Sequence, residues 1–187
     1  MKELEITVKV NSSYKKLHSD LERIGFKKTK QTIMYDTYMI DKNIDISNMK
    51  DLDILSKCVI VRNIDDYNAF IYKIKVYDED ENIISQEKIE CKIDDINSGI
   101  NFMKMINYKE LLNIKSELIF YSSNNLDILV QIVNDSFILI EMEDEKFDNI
   151  DEMINAFSKL DIDYDKSNYF VKKAQIILRK GDRNVCR

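Results

Sequence analysis

From its first residues this chain repeats at a period of two. Glu3-Leu4-Glu5-Ile6-Thr7-Val8-Lys9-Val10 alternates polar and apolar residues without a fault, and side chains two apart on a strand share a face. The same split recurs further on. Cys58, Ile60 and Arg62 form one row; Ile71, Lys73 and Lys75 oppose Phe70, Tyr72, Ile74 and Val76; Gln86, Lys88, Glu90 and Lys92 oppose Ile89, Cys91 and Ile93. Lys115 and Glu117 oppose Ile114, Leu118 and Phe120, and Glu141 and Glu143 oppose Ile138, Ile140 and Met142. A largely antiparallel sheet is expected, with strands near 3–10, 28–40, 57–64, 69–77, 84–93, 112–121, 126–133 and 137–143, and with charge gathered on one face.

Helical spacing is confined to four places. Tyr14, Leu17, Leu21 and Ile24 follow Ser12 and Ser13 as candidate caps, and Gly25 supplies a left-handed stop. Further helices are expected at 94–106, at 149–160 behind Asp148 or Asn149, and at 167–179. The sequence has no proline and three glycines, so Asn, Asp and Ser must make its turns, as at 78–82 and 134–136.

The 187 residues suit one domain, read as 1–179 with a basic tail at 180–187. No apolar run approaches the roughly 18 residues of a membrane span, and the N-terminus does not read as a signal peptide, so a cytoplasmic protein is expected. Cys58, Cys91 and Cys186 form no CxxC pair and fit reduced thiols. His18 is the only histidine, which leaves little material for zinc sites or histidine acid/base chemistry; it reads as structural. Cys58, without a histidine neighbour, reads as a packing residue. The net charge is −6, although residues 171–187 hold six basic residues against Asp182 alone. An acidic body argues against binding a nucleic-acid polymer.

Curling such a sheet would remove its edges and gather the charged rows around a concave site. Clustered glutamates are hard oxygen donors suited to Mg2+ or Mn2+, whereas clustered Lys and Arg suit phosphate oxygens. Together they point to a metal and a polyphosphate. The chain has no GxxxxGK[ST] loop, so side chains would have to hold the phosphates.

Those residues resemble the CYTH family, the triphosphate tunnel metalloenzymes, which include class IV adenylate cyclases and thiamine triphosphatases. Glu3-Leu4-Glu5-Ile6 is similar to the start of the family's ExExK signature, Val59-Ile60-Val61-Arg62 to its RxR strand and Tyr72-Lys73-Ile74-Lys75 to its lysine strand. Gln86 to Glu90 resembles its acidic strand, Lys115 its later basic strand, and Phe137 to Glu143 its closing ExE strand. The resemblance implies an α+β fold: a closed antiparallel eight-stranded β-barrel, a triphosphate tunnel with helices packed outside. It implies Mg2+ or Mn2+ on Glu3, Glu5, Glu90, Glu141 and Glu143. Phosphate would fall to Arg62, Lys73, Lys75 and Lys115, with Lys9, Lys88 and Lys92 on the same charged face as substitutes.

Thr7 stands where ExExK wants lysine, Ile60 replaces the first arginine of RxR, and Glu117 reverses a basic position. At about 1.5–3 kcal/mol for each charged hydrogen bond, such losses weaken a phosphate site by orders of magnitude. The expected activity is metal-dependent hydrolysis of a triphosphate-containing small molecule: inorganic triphosphate, thiamine triphosphate or a nucleoside triphosphate. The alternatives are a class IV adenylate cyclase making cyclic AMP from ATP, and a binding module without turnover. The sequence assigns no catalytic residue, and it leaves monomer or homodimer open.

Overall fold

The computed structural model describes residues 5–79, 83–124, 126–143 and 147–180, without the side chains at 84, 85 and 143. Among the described residues there are eight strands and five helices. In chain order they are β1 (Glu5–Lys9), α1 (Tyr14–Arg23), β2 (Lys27–Asp41), α2 (Asp51–Ser56), β3 (Val59–Ile64), β4 (Tyr67–Tyr77) and β5 (Ile83–Ile93). There follow α3 (Ile96–Met105), β6 (Tyr108–Ser122), β7 (Asp127–Val133), β8 (Phe137–Glu143), α4 (Ile150–Ser158) and α5 (Lys173–Lys180). The strands form one sheet in the order β1-β8-β7-β6-β2-β3-β4-β5. This is the expected α+β class with eight strands.

The expected barrel closure is not made by hydrogen bonds. β1 and β5 are the two ends of the strand order, and no ladder among the described residues joins them. β1 already has a partner on its outer edge. The Thr7 N–H donates to the Tyr169 carbonyl at 2.8 Å, the Val171 N–H donates to the Thr7 carbonyl at 3.0 Å, and the Asp165 N–H donates to the Lys9 carbonyl at 2.8 Å. The segment 163–171 therefore occupies the groups that closure would need, and the helix expected from 167 begins only at Lys173.

The chain divides into two compact units, Met1–Thr32 with Ser116–Val171, and Ile33–Lys115 with Lys172–Arg187. In the first, one sheet face carries Ile6, Val8, Ile119, Tyr121, Val130, Ile140 and Met142, packed with Leu17 and Leu21 of α1 and Met153 and Phe157 of α4. α1 starts where Ser13 accepts from the Lys16 N–H, and it stops at Gly25, whose φ of 94° suits glycine. Asn149 caps α4 in the same way. The turn before β8 needs no glycine, because Asn134 and Asp135 adopt φ of 47° and 51°, a region these two residues tolerate better than other side chains.

In the second unit, Met39 of β2, Val61 of β3 and Met103 of α3 form a buried cluster with Phe70, Ile93 and Ile100 against it. Gly99 lets α3 lie close: a Cβ there would run into Ile93 Cδ1. Arg179 of α5 donates through Nε to Asp51 of α2 at 2.8 Å, which ties the last helix to a short one that the sequence pattern did not reveal.

Candidate functional site

In the first unit, pairing between β1 and β8 sets Glu5 opposite Glu143 and Thr7 opposite Glu141. Residues directly opposite share a face, so the carboxylates of Glu5 and Glu141 and the hydroxyl of Thr7 line one side of this ribbon. Thr7 Oγ1 donates to Glu5 Oε1 at 3.1 Å, and Gln131 Nε2 donates to Glu141 Oε2 at 2.6 Å. Both donors are buried, so each carboxylate is oriented by a fixed neighbour. Glu143 is placed by register alone, and Glu3 lies outside the described residues. Among the described residues no group of three or more His, Cys, Asp or Glu is arranged to hold a metal ion.

Glu141 opens onto a cleft of about 410 Å3 whose walls include Thr29, Phe120, Ser122, Asp127 and Leu129. The register explains its mixed character: Glu141 lies across from Leu129, and Leu129 across from Phe120. The acidic row thus runs into an apolar surface rather than a further charged one. In the same row of β6, Ser116 is fully buried, and its Oγ has no hydrogen-bond partner among the described residues. Replacing it by alanine removes an unsatisfied group, so Ser116→Ala is expected to leave stability unchanged or raise it by about 1 kcal/mol, as read by urea denaturation.

β6 corrects the expectation of one continuous charged face. Glu117 pairs with Ile132 and shares its row with Ile119 and Tyr121, the row packed beneath α1 and α4. It is therefore on the face opposite Glu141. Lys115 alternates with buried Ile114 and Ser116 and belongs to the Glu117 row of its strand. The reason is that β6 is buried on both faces through much of its length, so polarity along it does not report which row faces a site. Gln31 Nε2 donates to the Glu117 carboxylate.

The second unit presents a basic surface. Register across β3, β4 and β5 puts Arg62, Ala69 and Lys92 in one line and Ile60, Ile71 and Glu90 in the next. Lys73 then faces Lys88, and Lys75 faces Gln86. All of these lie on one face, as the period-two reading expected. Lys73 beside Lys88 sets like charges across a strand pair, which costs stability unless an anion or acid offsets it. Glu90 does so in part, 3.1 Å from the Lys88 ammonium. A hydrogen bond from the Tyr67 hydroxyl, with help from Lys88, holds the Glu90 carboxyl below the usual range.

Arg62 is engaged elsewhere. Its Nε and Nη2 donate to the two oxygens of Asp36 at 2.7 Å each, and Asp36 is buried. Asp36 interrupts the otherwise apolar row Met34, Tyr38 and Ile40 of β2, the one sign in sequence that it had a partner. Lys9 is exposed on the Glu5 row. Asp165 lies within its electrostatic reach, its carboxyl held low first by hydrogen bonds from Ser167 and then by Lys9.

Two residues set aside in the sequence keep structural roles. Burial pushes the Cys58 thiol up to about 12, and its Sγ donates to the Ile54 carbonyl at 3.4 Å; a thiol so protonated is no nucleophile at neutral pH. His18 Nδ1 lies 2.8 Å from the Tyr121 hydroxyl, which lies 3.0 Å from that of Tyr14.

No family model matches the sequence, and no curated protein matches it. Solved structures do match. A Hippeastrum protein named as an adenylyl cyclase and credited with a dominant triphosphatase activity is 14% identical, with a TM-score of 0.65 and 96% of each chain covered. A Vibrio parahaemolyticus protein provisionally named an adenylate cyclase is 10% identical, with a TM-score of 0.63 over 96% of this chain and 98% of that one. A Pyrococcus horikoshii protein is 18% identical, with a TM-score of 0.62 over 95% and 99%. The chain shares their fold.

Proposed function

We propose that this chain binds a triphosphate-containing small molecule and hydrolyses it with Mg2+ or Mn2+ held by Glu5, Glu141 and Glu143, Glu3 completing the set. The observation that carries this reading is the β1–β8 register, which sets Glu5 against Glu143 with Glu141 two residues away on the same face. Carboxylate oxygens are the donors such hard cations take, and the shared fold with the Hippeastrum protein adds support. A divalent ion held there would neutralise charge on phosphate oxygens and orient an attacking water.

For the phosphates, the cation on the acidic row of the first unit is Lys9, exposed on the face of Glu5 and Thr7; Lys73, Lys75 and Lys88 share the basic face of the second unit. Arg62 is committed to Asp36, Lys115 stands in the row of Glu117, and Glu90 has Tyr67 and Lys88 as partners. Gln131 and Thr7 position the two described carboxylates. The cleft beside Glu141, with Phe120 and Leu129 in its walls, offers an apolar surface to an organic moiety attached to the phosphates.

The test is a panel of inorganic triphosphate, ATP and thiamine triphosphate with Mg2+ and with Mn2+, scored for phosphate, pyrophosphate and cyclic AMP. Phosphate release without cyclic AMP is expected. Cyclic AMP with pyrophosphate would replace hydrolysis by the cyclase reading. Binding by calorimetry without release would favour a non-catalytic module, the second reading, which the engagement of Arg62 by Asp36 favours. Neither binding nor turnover on any member of the panel overturns the proposal.

A further inference from the structure

We propose that β5 is the self-association strand of this protein, pairing antiparallel with β5 of a second copy about a two-fold axis at Ile89. β5 ends the strand order. It pairs with β4 on one side, and no ladder among the described residues covers its other edge. Residues 87–92 are exposed on both faces, with Ile89 at 54%. The two ends of the order thus differ, because β1 has its outer edge hydrogen-bonded to the segment 163–171.

An open edge of this length is an aggregation template unless something protects it, and lysines on an edge strand are a common protection. Here the charges alternate in sign along one face as Lys88, Glu90 and Lys92. A single-sign row would repel a second copy; an alternating row can be self-complementary. Two antiparallel strands related by a two-fold axis across their shared edge keep each face continuous, so the axis must pass at a residue and its own copy.

The possible centres can then be compared. Centring on Lys88 or on Glu90 sets that charge against itself, and centring on Glu87 does the same on the other face. Centring on Cys91 joins Glu90 to Lys92, but leaves only the last few residues of β5 paired before the chain enters α3. Centring on Ile89 pairs most of the strand. It sets Lys88 against Glu90 of the second copy twice, Glu87 against Cys91, and Ile89 against itself. Opposite charges directly across a ladder and an apolar pair at its centre are the stabilising cross-strand combinations. A second copy is thus the occupant with the matching sequence.

Light scattering on the full chain is expected to give twice the 22.2 kDa of one chain. Lys88→Glu, which sets two glutamates against two others, is expected to weaken association roughly 10-fold or more. Adding Glu90→Lys restores opposite charges across the axis and should recover the dimer, which separates a lost interface from a misfolded chain. With Cys91 and Cys186 replaced by serine, Ile89→Cys is expected to give a disulfide-linked dimer on oxidation. A monomer at all concentrations, a dimer indifferent to Lys88→Glu, or oxidative cross-linking of the unmodified chain through Cys91 would each overturn this pairing. Its failure leaves the triphosphate reading standing, since that is scored by phosphate release.

Discussion

Asp36→Ala is expected to destabilise the protein by about 3–5 kcal/mol, the cost of breaking a buried ion pair by removing one partner. Asp36 is 1% exposed, and both of its oxygens are taken by Arg62 at 2.7 Å. Without the carboxylate, Nε and Nη2 of Arg62 lose these two acceptors beside buried Ile60 and Ala69. A fully solvated pair would cost far less to lose, about 0–1 kcal/mol. The double variant Asp36→Ala, Arg62→Met should recover most of the loss, because replacing both charges with apolar groups removes the desolvation penalty along with the attraction. Urea denaturation of the wild type, the single and the double variant measures both terms. A single variant within 1 kcal/mol of wild type would show that the pair is not the anchor of β2 on β3. Release of Arg62 carries a second readout: if the binding-module reading holds because this arginine is occupied, the single variant should bind inorganic triphosphate more tightly than wild type.

The strands were legible in the sequence because their alternation is a local property, and the turn at 134–136 because Asn and Asp announce it; the loop expected at 78–82 lies for the most part outside the described residues. What escaped was set by contacts between distant segments. α2 is six residues long and its first residue follows Lys50, which makes no side-chain cap, so neither periodicity nor capping marked it. The stretch 167–172 has helical spacing, yet it lies along β1 because the edge of β1 offers hydrogen bonds that a short helix end does not. In β6, both rows contain apolar residues, and only pairing with β7 shows that Glu117 belongs with Ile119 rather than with Glu141. The acidic row was readable for the opposite reason. Glu141 and Glu143 alternate with Ile138, Ile140 and Met142, which are fit only for a core, and Glu5 alternates with Ile6 and Val8 in the same way. Asp36 and Gln131 were missed as partners because each acts across a strand pair whose register no single strand encodes.

Glu141→Gln is expected to lower turnover of a triphosphate by about 100-fold or more. Loss of a group that merely supports a metal ligand costs 10–100-fold, and a direct ligand should reach or exceed the upper end. The substitution suits the local geometry, since a glutamine at this position keeps an oxygen for the Gln131 Nε2 that now donates to Glu141 at 2.6 Å. Fold stability should therefore stay near wild type, and lost activity cannot be assigned to unfolding. Gln131→Ala provides the graded control. It removes the buried amide that orients the carboxylate without removing the charge, so a loss of 10–100-fold is expected, appearing as a higher Mg2+ or Mn2+ concentration for half-maximal rate. Raising the metal concentration should then rescue Gln131→Ala and leave Glu141→Gln inactive. Equal activity of wild type and Glu141→Gln at limiting metal would remove Glu141 from the metal set. That outcome would leave the Glu141 carboxylate with the structural role of accepting from the buried Gln131 amide, which ties β8 to β7.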